Sequence, residues 1–268
     1  LDVYVDATSE RAALGEVPRL DQGGSLLRFP ILASRRTTGT LATLPFSPAK
    51  SNVYRSTATV SLRADGGASA LFRETIQGTQ APSMRAMFDN RAEQKSRLRR
   101  VLSQNYPGAS LTNFGVRGLK AGKDGVTLEL GANIPGFASV RDGVLSIPVH
   151  ADPEGLLERY GPEGHRTHPL NLPFLSTEVT KTALELPEGS KLLSFPAPSF
   201  ESTNMADYRL SVSQNGTIVT VEEELVFKTA QVAPADYAAF RRFLEAVSIH
   251  RKARLRVSTG PAASAKMP

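Results

Sequence analysis

The sequence predicts a mainly β fold: an antiparallel β-sandwich with a helical insertion near residues 82–104 and a C-terminal helix near residues 234–249. Three observations lead to this class: alternation of apolar and polar residues from residue 54 onwards, the hairpin signal Asn215-Gly216, and one apolar stripe after Pro234. About ten segments have strand patterns against two or three with helical ones, a balance typical of two antiparallel layers.

The alternation starts in the stretch from Tyr54 to Leu62, where apolar residues hold one parity and Arg, Ser and Thr hold the other. Asp65-Gly66-Gly67 then turns the chain into a second segment of the same kind, so this region is predicted to be a β-hairpin with one solvent-exposed face. Further strands are predicted at Leu111–Val116, Val126–Leu130, Val144–Val149, Leu175–Leu186 and Lys191–Phe195.

Two segments have the helical period instead. Between residues 82 and 103 apolar residues recur at spacings of three and four, interrupted by polar residues around Asn90, which predicts two short helices or one bent helix. After Pro234, which a first helical turn tolerates, one apolar stripe follows and is expected to dock on a sheet. Its members are Tyr237, Phe240, Leu244 and Val247.

The strongest local signal is Asn215-Gly216, the pair favoured in two-residue type I′ turns because both central positions need positive φ. If these two residues form the turn, positions whose numbers sum to 431 face each other. Val212 then lies opposite Val219 and Arg209 opposite Glu222. A single register therefore produces both an apolar pair and an opposite-charge pair.

Three regions are expected along the chain. Residues 1–48, broken by Gly and Pro, are predicted to be a connector carrying one strand at Leu26–Leu32. Residues 49–258 are predicted to be the β-sandwich domain and residues 259–268 a disordered tail. The chain begins at Leu1 without a Met or a signal-peptide pattern, so it is expected to be a piece of a longer protein.

Composition excludes several function classes. With no cysteine among 268 residues, this chain forms no disulfide or thiolate metal site and has no cysteine nucleophile. No apolar run reaches the roughly 18 residues of a membrane span, and the net charge of +6 is a weak field for this size. Two basic clusters, interpreted as a solvated helix face and a basic helix end, lack interleaved aromatic residues for stacking on bases. They are Lys95, Arg97, Arg99 and Arg100, and His250, Arg251, Lys252, Arg254 and Arg256.

Catalytic and metal motifs are scarce. Residues 118–124 have three residues between the glycines and an Asp after the Lys, so they do not match the Walker phosphate loop, and no Gly-x-Ser-x-Gly sequence marks a hydrolase serine. The acidic run 222–224 alternates between strand faces, so Glu223 is interpreted as part of a solvated strand near an edge or a polar neighbour.

A zinc site is not expected either, because the loop predicted over residues 150–173 has no helix that would hold its histidines on one face. No cofactor is predicted. The candidate ligands considered in this loop are His150, Asp152, Glu154, His165 and His168.

Several short motifs resemble the β-rich accessory region of unknown function that follows the core of bacterial transglutaminase-like proteins. The opening residues Val5-Asp6-Ala7-Thr8 and Gly15-Glu16-Val17-Pro18 resemble the strand and connector that close such a core. Other segments with this resemblance are Asp65-Gly66-Gly67, Glu74–Gly78, Arg166–Leu170, Leu186-Pro187-Glu188-Gly189, Phe195-Pro196-Ala197-Pro198, the Asn215-Gly216 hairpin and Ala235–Leu244.

The resemblance implies that Asp6 matches the third member of a Cys-His-Asp triad, in which the Cys attacks an amide carbonyl and the Asp orients the His. The chain has no Cys, and no His precedes Asp6. No catalysis by this route is therefore expected from the chain alone, and within it Asp6 is interpreted as a turn residue ahead of Thr8. The longer protein is a candidate transglutaminase or protease-like enzyme.

Two function classes remain open. In the first, the chain is a non-catalytic accessory or interaction domain that packs on a transglutaminase-like core or binds a protein or cell-envelope partner. The resemblance alone implies a periplasmic or otherwise extracytoplasmic location in a bacterium. In the second, the chain is a freestanding β-sandwich module that binds carbohydrate or a polyanion. Nucleic acid is not an expected partner of either.

Overall fold

The computed structural model describes residue 4 and residues 8–29, 38–122 and 125–259, and within these ranges the protein is mainly β. The strands are β1 Ser25–Arg28, β2 Thr40–Thr43, β3 Val53–Leu62, β4 Ala68–Ile76, β5 Ser110–Arg117, β6 Val126–Ile134, β7 Ser139–Arg141, β8 Val144–Pro148, β9 Leu170–Asn171, β10 Ser176–Glu185, β11 Lys191–Ser194, β12 Ser199–Ser202, β13 Ala206–Asn215, β14 Ile218–Phe227, β15 Gln231–Val232 and β16 Arg254–Ser258. The helices are α1 Ala81–Phe88, α2 Arg91–Asn105, α3 Gly155–Tyr160 and α4 Pro234–Lys252.

The first layer is an eight-stranded sheet in the order β12-β13-β14-β10-β3-β4-β6-β5, called the large sheet below. Its neighbours are antiparallel except for β10 and β3, which run parallel. The sheet is therefore mixed rather than purely antiparallel. A parallel pair needs a long crossover instead of a hairpin. The crossover from β3 to β10 contains α1, α2 and α3.

The second layer consists of α4 and a four-stranded sheet in the order β11-β16-β8-β7. Leu145 and Ile147 of β8 and Leu255 of β16 are fully buried in the same core cluster as Val60 and Leu184 of the large sheet. The predicted two-layer architecture is confirmed. No described helix has the length and apolar character that would let it cross a membrane.

Helix α4 confirms the predicted C-terminal helix and its stripe. Tyr237, Phe240, Leu244 and Val247 are each at most 1% exposed, in one cluster with residues of both sheets. Pro234 occupies the first turn, where its missing N–H leaves no helical bond unmade.

The helical insertion consists of two helices, one of the two predicted forms. The break falls at Asp89 and Asn90, and the Asn90 side chain accepts a hydrogen bond of 3.1 Å from the Ala92 N–H at the start of α2. Phe88 and Leu98 are 1% exposed in a second core cluster on the large sheet. A local polar cap thus ends one helix run and begins the next.

The Asn215-Gly216 hairpin exists, but the predicted register is wrong. Asn215 lies opposite Ile218, so Gly216 and Thr217 are the turn residues. Gly216 has φ of +60° while Asn215 keeps a negative φ. One positive φ at the first central position is the requirement of a type II′ turn, whereas the prediction assumed a type I′ turn that begins at Asn215.

The facing residues in this hairpin therefore sum to 433 instead of 431. Val212 lies opposite Val221 rather than Val219, and Arg209 lies opposite Glu224 rather than Glu222. Because the shift is two residues, every side chain remains on the predicted face of the sheet.

Two other segments differ from expectation. The connector strand is β1, Ser25–Arg28, and it pairs with β2 in a sheet of its own. The end of the predicted strand Leu26–Leu32, residues 30–32, lies outside the described residues. The predicted loop 150–173 contains α3 and β9. The predicted disordered tail lies outside the described residues apart from Thr259.

Candidate functional site

Asp6, the one catalytic candidate, lies outside the described residues. The part of the connector that the structure describes from Thr8 onwards is held against α1 and the β5–β6 loop by a buried polar network. This network is centred on Arg85 and is called the connector clamp below.

Arg85 is 0% exposed, and all five of its N–H donors are satisfied. Its guanidinium donates to both carboxylate oxygens of Glu16, from Nη1 at 2.5 Å and from Nη2 at 3.1 Å. The remaining donors reach the carbonyl oxygens of Arg11 at 2.6 Å, Gly118 at 3.2 Å and Gly122 at 3.1 Å. One side chain therefore joins the connector, α1 and the β5–β6 loop.

A second contact holds the connector a few residues later. Gln22, 7% exposed, donates to the Val17 carbonyl at 2.8 Å and to the Thr79 hydroxyl at 2.6 Å, and accepts from the Ser47 N–H at 2.9 Å. The Thr79 N–H in turn donates to the side chain of Asn52 at 3.0 Å, next to β3. Residues 11–24 are thus attached to the β-sandwich at two separate points.

Arg85 was not predicted to be a site residue because an arginine is ordinarily solvated. The available signal was helical spacing, since Ala81, Arg85 and Phe88 share one face of α1 and all three are buried. Met84 packs against the core cluster that contains Phe88, whereas Met87 on the other side of the helix is 45% exposed.

A second buried polar cluster joins α4 to the inner face of the large sheet. Glu223, 4% exposed, forms an ion pair with Arg251, 5% exposed, and accepts a hydrogen bond of 3.3 Å from the Tyr208 hydroxyl. The His150 Nε2 atom lies 3.9 Å from the same carboxylate. Glu223 was predicted to lie on a solvated strand near an edge or a polar neighbour. The predicted solvent exposure is wrong, because Glu223 is buried, but the neighbouring side chains are polar.

The basic helix end predicted for residues 250–256 is present, because His250, Arg251 and Lys252 lie in the last turn of α4, whereas Arg254 and Arg256 belong to β16. Arg251 is nevertheless buried. Arg251 continues the apolar stripe of α4, four residues after Val247, so it points inward and pairs with Glu223. His250 stacks on Tyr208, with ring centroids 6.0 Å apart, and its Nε2 lies 2.9 Å from a Glu201 carboxylate oxygen.

Burial controls the electrostatics of this cluster. It lowers the pKa of His150, and the nearby Arg251 lowers it further against the opposing effect of Glu223. Burial also raises the pKa of Glu178 on the neighbouring strand. A neutral His150 is consistent with its Nδ1 accepting a hydrogen bond of 3.0 Å from the Asp152 N–H.

These groups do not form a nucleophilic triad within the described part of the chain. His150 and His250 each lie near a glutamate, but no serine hydroxyl there forms a hydrogen bond with either ring. A nucleophile within hydrogen-bond reach of the base is the minimal requirement for this type of catalysis.

The zinc candidates of the sequence analysis are engaged elsewhere. Asp152 accepts a hydrogen bond of 3.0 Å from the Gly155 N–H at the start of α3, and Glu154 forms an ion pair with Lys252. In the described ranges no three histidine, aspartate or glutamate side chains are grouped as a metal site. The expectation that His165 and His168 bind no zinc stays a prediction.

The outer face of the large sheet carries a groove of about 730 Å³. Phe200 is 56% exposed there, with the Arg209 guanidinium 4.9 Å from its ring centroid. The Lys181 ammonium pairs with Glu222 at 2.6 Å. Charges of both signs and one aromatic ring make this face suited to recognition, and it has no grouping of nucleophile and base.

Comparison with known proteins gives one family match. The family model described as a domain of unknown function with a solved structure (DUF3858) matches residues 153–256, from α3 to β16. The predicted β-rich region of unknown function is confirmed to that extent. No curated protein matches the chain.

Two solved structures have partial similarity. A "putative protease" from Parabacteroides distasonis is 19% identical, with a TM-score of 0.37 over 44% of this chain and 24% of its own. An M1 zinc metallopeptidase from Deinococcus radiodurans is 11% identical, with a TM-score of 0.27 over 77% of this chain and 41% of its own. The present chain therefore spans less than half the length of either.

Proposed function

We propose that this chain is a non-catalytic accessory domain of a transglutaminase-like protein, which packs on a preceding catalytic core and offers its sheet surface to a partner. The observation that carries the proposal is the connector clamp. A connector that merely tethered two domains would be solvated and mobile. Here Glu16 and the Arg11 carbonyl are held by a fully buried arginine.

The clamp acts directly after the segment that resembles the end of a catalytic core. Asp6 precedes the clamped Arg11 by one short stretch of chain. Fixing Arg11 limits the positions that Asp6 and anything before it can take relative to the β-sandwich. The domain then contributes orientation to a triad whose Cys and His lie in the longer protein.

The partner side of the proposal is based on the outer face of the large sheet. Phe200 and Arg209 present an exposed aromatic ring beneath a guanidinium, and both residue types are enriched at protein interfaces. A protein or cell-envelope partner outside the bacterial cytoplasm agrees with the family resemblance.

The test uses the longer protein that contains the sequence encoded upstream of Leu1. Arg85→Met is compared with Arg100→Met, which removes the same charge from an exposed position of α2. Amine incorporation by the longer protein is expected to fall with Arg85→Met and with Asp6→Ala, and to be unchanged with Arg100→Met. An unchanged kcat after Arg85→Met, with the connector released to trypsin, would contradict the proposal.

A further inference from the structure

Helix α2 carries an unusual arrangement of charge. Five cations and one acid, Glu93, occur in its first ten residues, and its last turn contains no cation. Arg97 pairs with Glu93, which leaves the other four without an acidic partner in the described residues. The five cations are Arg91, Lys95, Arg97, Arg99 and Arg100.

This arrangement opposes the stability of the helix. Arg91, Lys95 and Arg99 follow one another at spacings of four, so they form two like-charge pairs on one side of α2, and such pairs are unfavourable. Arg91 also lies in the first turn of α2, at the positive end of the helix dipole, where acids are favoured instead. The stability of the helix therefore does not explain why α2 carries these five cations.

The five cations lie on the solvent-exposed side of α2. Only Gln94, Leu98 and Leu102 of α2 are buried, and the cations are all exposed. A small anion would need donors that converge on it, whereas these cations point outwards along the helix. They are suited to an extended anionic surface.

We propose that α2 is an electrostatic docking face for a membrane surface rich in anionic phospholipid. Clusters of four to eight Lys and Arg on one surface helix are the pattern that such lipid headgroups attract. Nucleic acid is the less favoured polyanion because α2 carries no aromatic residue to stack on bases. The proposal is independent of the accessory role, since it involves neither the connector clamp nor the outer groove.

The experiment is cosedimentation of the chain with phosphatidylcholine vesicles, with and without phosphatidylglycerol. The test variant is the triple substitution Arg91→Gln, Lys95→Gln and Arg99→Gln. The matched control is the triple substitution Arg141→Gln, Lys191→Gln and Arg256→Gln, which removes three exposed cations from the four-stranded sheet. Both variants lower the net charge from +6 to +3.

Each cation near an anionic surface contributes about fivefold in affinity, so the α2 variant is expected to bind about 100-fold more weakly and the control nearly as well as the parent chain. Binding should also vanish at high salt, where screening acts over about 3 Å. The α2 variant should melt no lower than the parent, because it relieves like-charge pairs, so lost binding will not reflect unfolding.

Three results would overturn the proposal. Equal losses in both variants would assign the binding to net charge. Equal binding to vesicles with and without phosphatidylglycerol would remove the electrostatic basis. Tighter binding to a DNA duplex or single strand than to the anionic vesicles, lost in the α2 variant, would assign the helix to nucleic acid.

Discussion

Replacing Arg85 by Met should destabilise the protein and release its connector. The substitution leaves the Glu16 carboxylate, whose side chain is 10% exposed, without its counter-charge. It also removes the donors to the carbonyl oxygens of Arg11, Gly118 and Gly122. Removing one partner of a buried pair costs about 3–5 kcal/mol, a large part of the roughly 5–15 kcal/mol that holds a domain folded.

Urea denaturation measures this loss, and Arg100→Met should stay within about 0.5 kcal/mol of the parent chain. The double variant Arg85→Met/Glu16→Leu should be more stable than the sum of the single changes predicts, because no uncompensated charge remains buried. Trypsin should cleave after Arg19 faster in Arg85→Met than in the parent. A loss below about 1 kcal/mol, or strict additivity in the double variant, would refute the reasoning.

Three further predictions concern the rest of the fold. Phe240→Ala should cost about 3–5 kcal/mol because the ring is fully buried, and an unchanged melt would contradict its core position. Burial raises the pKa of Glu178, so the Glu178 carboxyl keeps its proton to higher pH in the folded state than in the unfolded chain, and its contribution to the free energy of unfolding falls as pH rises above about 4.5. Glu178→Gln should make the free energy of unfolding less dependent on pH in this range. Parallel curves of stability against pH for the variant and the parent chain would contradict this prediction. Gly216→Thr should cost at least about 1 kcal/mol because φ is positive there, whereas Asn215→Thr should be tolerated, and the opposite order would restore the type I′ register.

Side-chain faces were predictable from the sequence, and pairing partners were not. Period-two alternation assigns a residue to a face from its neighbours alone, so Val212 and Val221 were placed on one face correctly. Register depends on which residues occupy the centre of the turn. Gly216 fits both the second central position of a type I′ turn and the first central position of a type II′ turn. The parallel pairing of β10 with β3 depends on closure of a long crossover, which no local pattern encodes.

The partners of the buried charges could not be predicted from the sequence either. Arg85 and Glu16 are 69 positions apart, and Glu223 and Arg251 are 28 apart, so neither partner could be assigned from local spacing. Alternation would have placed Glu223 on the same face as Val221, and helical spacing would have placed Arg251 four residues after Val247, but neither inference was drawn. Two residues of opposite charge, each on the apolar face of its own strand or helix, are the signal that would have found this cluster.

Whether this chain is catalytic on its own is decided by measuring its turnover in amine-incorporation and peptide-hydrolysis assays, beside the longer protein. Acyl transfer by the family's route needs a thiolate, a base and an oriented acid, and the chain supplies at most the acid, Asp6. We expect no turnover by the isolated chain, whereas the longer protein should have activity that Asp6→Ala abolishes. Turnover by the isolated chain that persists through purification to constant specific activity would contradict it.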